Sequence, residues 1–146
     1  MKDKMVDLYK KVNEWIEIAE EDMSVAKLGF SISSAVSYRL IAFHSQQCAE
    51  KYLKAFLVYH KIDFPYTHNI TTLIDLCSEI DEAFEELRDA EILTSYATAN
   101  RYPSEYRKLR KVDGLKAVRL AEMVKIFIRN KLLVARVKLK NLSSSN

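Results

Sequence analysis

Apolar residues recur with the period of an α-helix along most of the chain. Across residues 12–30 they are spaced by three and four positions, which places them on one face of a helix. These residues are Val12, Trp15, Ile16, Ala19, Met23, Ala26 and Phe30. A second helix is predicted over residues 35–60, where the apolar stripe consists of Ile41, Cys48, Tyr52, Ala55, Phe56 and Tyr59.

Three more helices are predicted in the second half of the chain. The third follows Thr67, a candidate N-cap. Its apolar face consists of Ile70, Leu73, Ile74, Cys77 and Ile80. The fourth covers residues 84–101 and ends before Pro103, because the residue that precedes a proline is biased away from helical geometry. The fifth begins near Asp113, a good cap, and runs to about residue 133.

The helical period and the scarcity of turn-forming residues predict an all-α protein. The 146 residues include only two Gly and two Pro, so tight turns are few. No segment alternates convincingly as a strand does, and VARVKLKNL is short and terminal. Because short connections pair neighbouring helices, we expect a four- to five-helix up-and-down antiparallel bundle. Residues 1–135 should form one helical domain, and residues 136–146 a frayed or disordered tail.

The composition excludes several classes of protein. No apolar run approaches the roughly 18 residues of a membrane-spanning helix, and MKDKMVDLYKKV lacks the apolar core of a signal peptide. We therefore expect a cytoplasmic protein without membrane contact. Cys48 and Cys77 fall on apolar faces without metal-ligand spacing, so we expect buried thiols, no metal site and no cofactor. The net charge of +3 does not by itself indicate nucleic-acid binding.

Charge is distributed unevenly along the second half of the chain. Residues 75–91 contain eight acidic residues and one base, Arg88, whereas NRYPSEYRKLRK contains five bases, one acid, Tyr102 and Tyr106. Like-charged blocks are most often solvated faces. A basic block with interleaved tyrosines also suits a phosphate-and-base site, with cations for the phosphate and rings for stacking. Both interpretations remain open on these residues alone.

The stretch AFHSQQCAEKYLKAFLVY in the second helix places polar residues along both edges of its apolar seam. At about 100° per residue, His44, Gln47 and Lys51 share one narrow stripe. Gln46 and Glu50 border the other edge. The polar residues of this helix are therefore ordered along its seam rather than scattered.

Asp22 borders the apolar seam of the first helix in the same way. Its carboxylate is therefore a candidate partner for His44 or Lys51 across the helix pair. Polar residues at such a boundary either hold two helices in register or form a working surface.

Three blocks of the sequence resemble the HEPN domain, a small helical module. WIEIAEEDMSVAK is similar to its first-helix pattern, and YATANRYPSEY to its Arg-Tyr-Pro block. AFHSQQCAEKYLKAFLVYHKIDFPYTHNITTLIDL is similar to its central signature of Phe-His-x-Gln-Gln-x-Ala-Glu-Lys followed by Pro-x-Thr-His. Together the blocks span residues 15–106.

The resemblance implies a four- or five-helix bundle and a proposed nucleotide-binding role. It also implies a homodimer and, for many members, a separately encoded minimal nucleotidyltransferase as partner in a toxin–antitoxin-like pair. Phe43, Tyr38 and Leu57 lie off the main apolar stripes, which agrees with a second surface that a partner would bury.

Other branches of this family are metal-independent RNases, whose signature is an Arg followed after four to six residues by a His. Arg101 lies in the corresponding block, but no His occurs in residues 102–146. Such cleavage needs the imidazole for proton transfer or for charge at the phosphate. The spacing does occur from Arg39 to His44, but five steps along a helix set two side chains about 140° apart.

We therefore predict a non-catalytic HEPN protein that binds nucleotide or RNA phosphate, or that partners a nucleotidyltransferase. The resemblance groups the candidate binding residues, which are His44, Gln47, Lys51, His68, Arg101 and Tyr102, with Asp22 as a structural polar partner. No residue is assigned a catalytic role. The alternatives are an RNase toxin with a degenerate Arg/His site and a ligand-free helical interaction scaffold.

Overall fold

The computed structural model describes residues 2–32, 35–98 and 108–135, and all of its regular elements in these ranges are helical. The α-helices are α1 (Lys2–Leu28), α2 (Ala35–Tyr59), α3 (Ile70–Ile80), α4 (Ile92–Thr98) and α5 (Lys111–Val134). A 3₁₀ segment, Glu82–Glu91, connects α3 to α4. The predicted all-α helical bundle is confirmed. The predicted tail, residues 136–146, lies outside the described residues.

α1 begins at Lys2, well before the predicted start at residue 12. Residues 2–7 are all exposed, and Leu8 and Tyr9 are the first side chains that are half-buried. An apolar period marks only the part of a helix that buries a face, so this first part of α1 left no periodic signal.

The start of α3 corrects the predicted cap. Asn69 is the N-cap, because its Oδ1 accepts the backbone N–H of Thr72 at 3.3 Å. Thr67 instead closes a local turn, in which its Oγ1 accepts the backbone N–H of Asn69 at 3.0 Å. Asparagine at this position satisfies one of the free N–H groups of the first helical turn. The Thr67 prediction was therefore wrong by two residues.

The predicted fourth helix is a 3₁₀ segment followed by the shorter α4. Phe84, Leu87, Ala90 and Leu93 are all buried and lie three residues apart. A 3₁₀ helix has three residues per turn, so this spacing keeps all four side chains on one face. Asp81 caps the segment, since its Oδ1 accepts the backbone N–H of Ala83 at 3.0 Å. The end predicted at residue 101 lies beyond the described part of α4.

α2 is the central helix and packs against α1, α3, α4 and α5. Because neighbours surround it, apolar residues on several of its faces are buried, among them Ile41, Cys48, Tyr52, Leu53, Phe56 and Leu57. Leu57 was expected to stay exposed for a partner, and that expectation was wrong. Tyr38 is half-buried against the core, whereas Phe43 remains 39% exposed.

Both cysteines are buried free thiols, as their positions on apolar faces predicted. Burial raises the pKa of the Cys48 and Cys77 thiols well above the usual range. They therefore remain protonated and pack as small apolar side chains. Across residues 2–32, 35–98 and 108–135, no helix is both long enough and apolar enough to cross a membrane.

α2 ends in a turn that directs the following loop back along the helix. The backbone N–H of Ile62 donates to the carbonyl of Leu57, and that of Lys61 to the carbonyl of Val58, both at 3.0 Å. This pair of bonds forms a Schellman motif, with Lys61 in the left-handed conformation at φ 56°. The loop then reaches His68, which contacts α2 one helical turn before Lys54.

Candidate functional site

Asp22 of α1 holds two side chains of α2. Its Oδ1 lies 2.8 Å from Nδ1 of His44, and its Oδ2 accepts a hydrogen bond from Nζ of Lys51. The contact predicted from the two helix seams is therefore present, and it involves both candidate partners. Asp22 is only 8% exposed, while the side chains of His44 and Lys51 keep 25% and 19% of their surface. We call these three residues the Asp22 cluster.

The Asp22 cluster leaves one ring nitrogen available. Because Nδ1 of His44 donates to the carboxylate, a neutral ring carries its lone pair on Nε2. Nε2 makes no hydrogen bond to any described residue. With a neutral ring the cluster has no net charge, and with a protonated ring it has one positive charge. This nitrogen can therefore accept a proton or, when protonated, donate to an anion.

A second cluster surrounds Glu50, which is 2% exposed. Its carboxylate accepts from Nζ of Lys54 at 2.7 Å, Nε2 of Gln46 at 3.0 Å and Nε2 of Gln47 at 3.2 Å. Nδ1 of His68 lies 3.1 Å from Oε2 of the same carboxylate. Burial alone would raise the pKa of Glu50, but the bonds from Lys54, Gln46 and His68 outweigh it and lower that pKa.

Lys54 completes this Glu50 cluster inside an aromatic cage. It is 7% exposed, and its Nζ lies 5.7 Å from the ring centroid of Trp15 and 5.6 Å from that of Phe64. A cation over two aromatic faces is stabilised electrostatically in addition to its ion pair. The sequence contained a signal for this arrangement, since Gln46, Glu50 and Lys54 are spaced by four along one helix face.

The structure divides the predicted binding residues between these two clusters. His44 and Lys51 belong to the Asp22 cluster, whereas Gln47 and His68 belong to the Glu50 cluster. Nε2 of Gln47 also lies 2.6 Å from Oε1 of Gln46, so its amide nitrogen faces this buried network.

The remaining two predicted residues, Arg101 and Tyr102, lie outside the described residues. Their proposed part in the site stays a prediction from the sequence.

A third polar cluster, which the sequence patterns did not reveal, joins α1, α2 and α5. Glu20 accepts a hydrogen bond from the hydroxyl of the fully buried Tyr52, and Nζ of Lys125 lies 2.8 Å from its Oε1. Arg129 donates to the same hydroxyl at 3.4 Å. Burial acts to raise the pKa of Glu20, yet the bonds from Lys125 and Tyr52 lower it overall. This cluster joins α1, α2 and α5 through one buried hydroxyl and one carboxylate.

A groove lies between the start of α1 and the end of α2, and it meets the Glu50 cluster at Phe64. Its volume is about 600 Å³, and it is lined by Lys4, Asp7, Leu8, Lys11, Val58, Lys61, Ile62, Asp63 and Phe64. None of the predicted binding residues borders it. In the described parts of the chain, no group of three or more His, Cys, Asp or Glu residues is placed to hold a metal ion.

Comparisons with known proteins agree with the helical fold. The family model of the HEPN domain matches residues 12–131, which is most of the chain. The crystal structure of TT1696 from Thermus thermophilus superposes with a TM-score of 0.69, at 23% identity, over 84% of this chain and 98% of that one. That likeness shows a shared fold. No curated protein matches. On the family match, this chain belongs to the HEPN domain family.

Proposed function

We propose that this HEPN protein binds the phosphate of a nucleotide or of RNA through its Asp22 cluster and does not cleave it. The observation that carries the proposal is the arrangement of His44 and Lys51, which share one carboxylate and both remain partly exposed. A protonated His44 and Lys51 present two N–H donors and a net positive charge, which suits a phosphate oxygen. Arg101 and Tyr102 are proposed to add a further cation and a stacking ring.

The neighbouring Glu50 cluster supports the proposal by fixing the side chains and the loop beside the Asp22 cluster. Its carboxylate is buried and every bond to it comes from α2 itself or from the loop that ends at His68. Gln47 lies one helical turn from both His44 and Lys51, so the fixed network borders the Asp22 cluster. A rigid surface loses little entropy when it binds a ligand.

The absence of cleavage is proposed from the positions of two side chains. Arg39 and His44 both lie within the continuous helix α2, where five steps separate their directions by about 140°. His44 is also engaged by Asp22 from α1. An Arg and a His that diverge in this way do not converge on one phosphate.

Calorimetric titration with ATP, GTP, AMP and a short single-stranded RNA tests the proposal. We expect His44→Ala and Lys51→Met each to lower the affinity for the ligand at least about tenfold, which corresponds to about 1.4 kcal/mol of binding free energy. His60→Ala is the matched control, because His60 lies 16 positions further on, about 24 Å along α2 and its end. If the wild type binds none of the four ligands, the proposal is contradicted and the result favours the ligand-free interaction scaffold.

We also propose that the protein is a cytoplasmic homodimer and the helical partner of a separately encoded nucleotidyltransferase in a toxin–antitoxin-like pair. An apolar surface borders the Asp22 cluster, formed by Ile18 and Val25 of α1 with Leu40 and Phe43 of α2, each 39–45% exposed. Burying these side chains between two copies would place His44 near the interface. Light scattering at micromolar concentration tests the dimer, and a monomer mass for the wild type contradicts it.

A further inference from the structure

The outer face of α5 carries an apolar stripe that the bundle does not cover. Val112, Leu115, Ile126 and Leu133 are between 52% and 59% exposed. At 100° per residue they fall within about 60° of one another. They lie on the opposite side of α5 from its buried residues, such as Ala121, Val124 and Ile128. They are therefore surface residues and not the edge of the core.

The spacing of this outer stripe is that of a helix that pairs lengthwise with another helix. From Val112 it advances in steps of three and four through Leu115, Arg119, Glu122 and Ile126, and it reaches Leu133 one heptad later. Apolar residues with this repeat form the seam along which one helix packs against a second.

Exposed cations lie on both sides of the stripe and within it. Lys111 and Lys116 flank it on opposite sides and Arg119 lies within it, and none of the three makes an ion pair with a described residue. Lys108, which precedes α5, is exposed too. Over residues 108–121 the one acidic residue is Asp113, which is buried. Further along, Glu122 already pairs with Lys27 at 2.8 Å. A helix that packs on this face would therefore meet positive charge on both flanks, and an acidic helix complements it.

A second copy of this chain does not fit the face. α5 contains six basic and two acidic residues, so two copies of α5 would repel each other. The acidic residues 75–91 of another copy would supply the opposite charge. However, no large apolar side chain within that segment is exposed, so it would leave the stripe uncovered.

RNA fits less well than a protein. Single-stranded RNA is held by aromatic side chains that stack on bases, whereas the exposed side chains of this stripe are aliphatic. We propose that the outer face of α5 binds an acidic amphipathic helix of another protein. This deepens the partner half of the proposed function and does not involve His44, so the two proposals can fail separately.

The test uses a synthetic peptide of about three heptads with Leu at the seam positions and Glu at the flanking positions. A scrambled peptide of the same composition and a single-stranded RNA of similar charge are the comparison ligands. The variants are Leu115→Gln and Ile126→Gln, which remove apolar contacts without adding charge, and Lys116→Gln. The control is Val6→Gln, since Val6 is 63% exposed on α1, remote in sequence from the stripe.

We expect fluorescence anisotropy to show that the wild type prefers the amphipathic peptide to the scrambled one by at least about tenfold. Leu115→Gln and Ile126→Gln should each lower the affinity for the amphipathic peptide several-fold. Lys116→Gln should lower it less at high salt than at low salt, because salt screens the charge. Val6→Gln should leave the affinity unchanged. Thermal melting checks that each variant folds. Equal binding of both peptides, stronger binding of the RNA, or full affinity in both apolar variants would overturn the proposal.

Discussion

Removing one charge of the buried Glu50–Lys54 pair should destabilise the fold far more than removing a similar pair at the surface. Lys54→Met keeps an unbranched apolar stem between Trp15 and Phe64 but leaves Glu50 buried and charged. Breaking a buried pair from one side costs about 3–5 kcal/mol. Gln46, Gln47 and His68 still donate to the carboxylate, so we expect about 2–4 kcal/mol. That is a large share of the about 5–15 kcal/mol that holds a typical domain folded.

The measurement is a double-mutant cycle by urea unfolding, with Lys54→Met, Glu50→Gln and the double variant. At a slope of about 2 kcal/mol/M, a loss of 3 kcal/mol lowers the midpoint by about 1.5 M. The double variant removes both charges together, so we expect it to be less destabilised than the sum of the single variants by at least about 1.5 kcal/mol.

Lys27→Met supplies the matched control, because the Lys27–Glu122 pair has a similar separation, 2.8 Å against 2.7 Å, but exposed side chains. Its loss should change stability by less than about 0.5 kcal/mol. The reasoning would fail if Lys54→Met and Glu50→Gln each lowered the free energy of unfolding by no more than Lys27→Met does, and if their effects were additive. That result would show that Glu50 and Lys54 do not form a buried ion pair in solution.

Four further outcomes are expected. Purified protein incubated with total RNA and no added metal should leave the RNA intact, and cleavage that disappears in His44→Ala would make the Arg39-to-His44 spacing an active motif. Arg101→Ala should melt like the wild type while losing on the order of 2–5 kcal/mol of ligand or partner binding, with partial rescue by Arg101→Lys, since lysine lacks the planar fork. Lys61→Gly should raise stability by roughly 0.5–1 kcal/mol in urea unfolding, because φ 56° is strained for a side-chain-bearing residue. The pKa of Glu50 is about 4.3 in the unfolded chain and lower in the folded protein, so its charged form stabilises the fold above about pH 4.3 and loses this effect as the pH falls through the folded pKa. Acidification below about pH 5 should therefore destabilise Glu50→Gln less than it destabilises the wild type.

The sequence predicted those parts of the fold in which helices bury a periodic face. The stripes of α2 and α3 are examples, since Ile41, Tyr52, Leu73 and Cys77 are fully buried as expected. The pattern could not reveal the first turns of α1, which bury nothing. It also could not distinguish an α-helix from a 3₁₀ helix at Phe84 and Leu87, because a spacing of three satisfies both periods.

The site was predicted less completely than the fold, for a geometric reason. Placing Asp22 beside His44 required only that α1 and α2 pack along their seams, which the apolar pattern already indicated. Placing His68 required the path of the loop after Lys61, and that path depends on a left-handed residue that no local pattern indicates. The contact of Glu20 with Lys125 joins residues 105 positions apart, and it depends on where α5 docks.

The two polar clusters of α2 differ in a way that decides which of them is the candidate site. The Glu50 carboxylate is 2% exposed and receives four donors, so it has no remaining capacity for a ligand. A ligand there would have to break bonds that hold the loop to the bundle. The Asp22 carboxylate holds His44 and Lys51, and both of these side chains stay partly exposed. The side chain of His68 in the Glu50 cluster is partly exposed as well, at 36%, but the lysine of that cluster is buried, so of these two clusters only the Asp22 cluster presents an imidazole and a cation together. Because the buried Asp22 carboxylate orients the partly exposed imidazole of His44, a ligand can bind that imidazole without unfolding any part of the bundle.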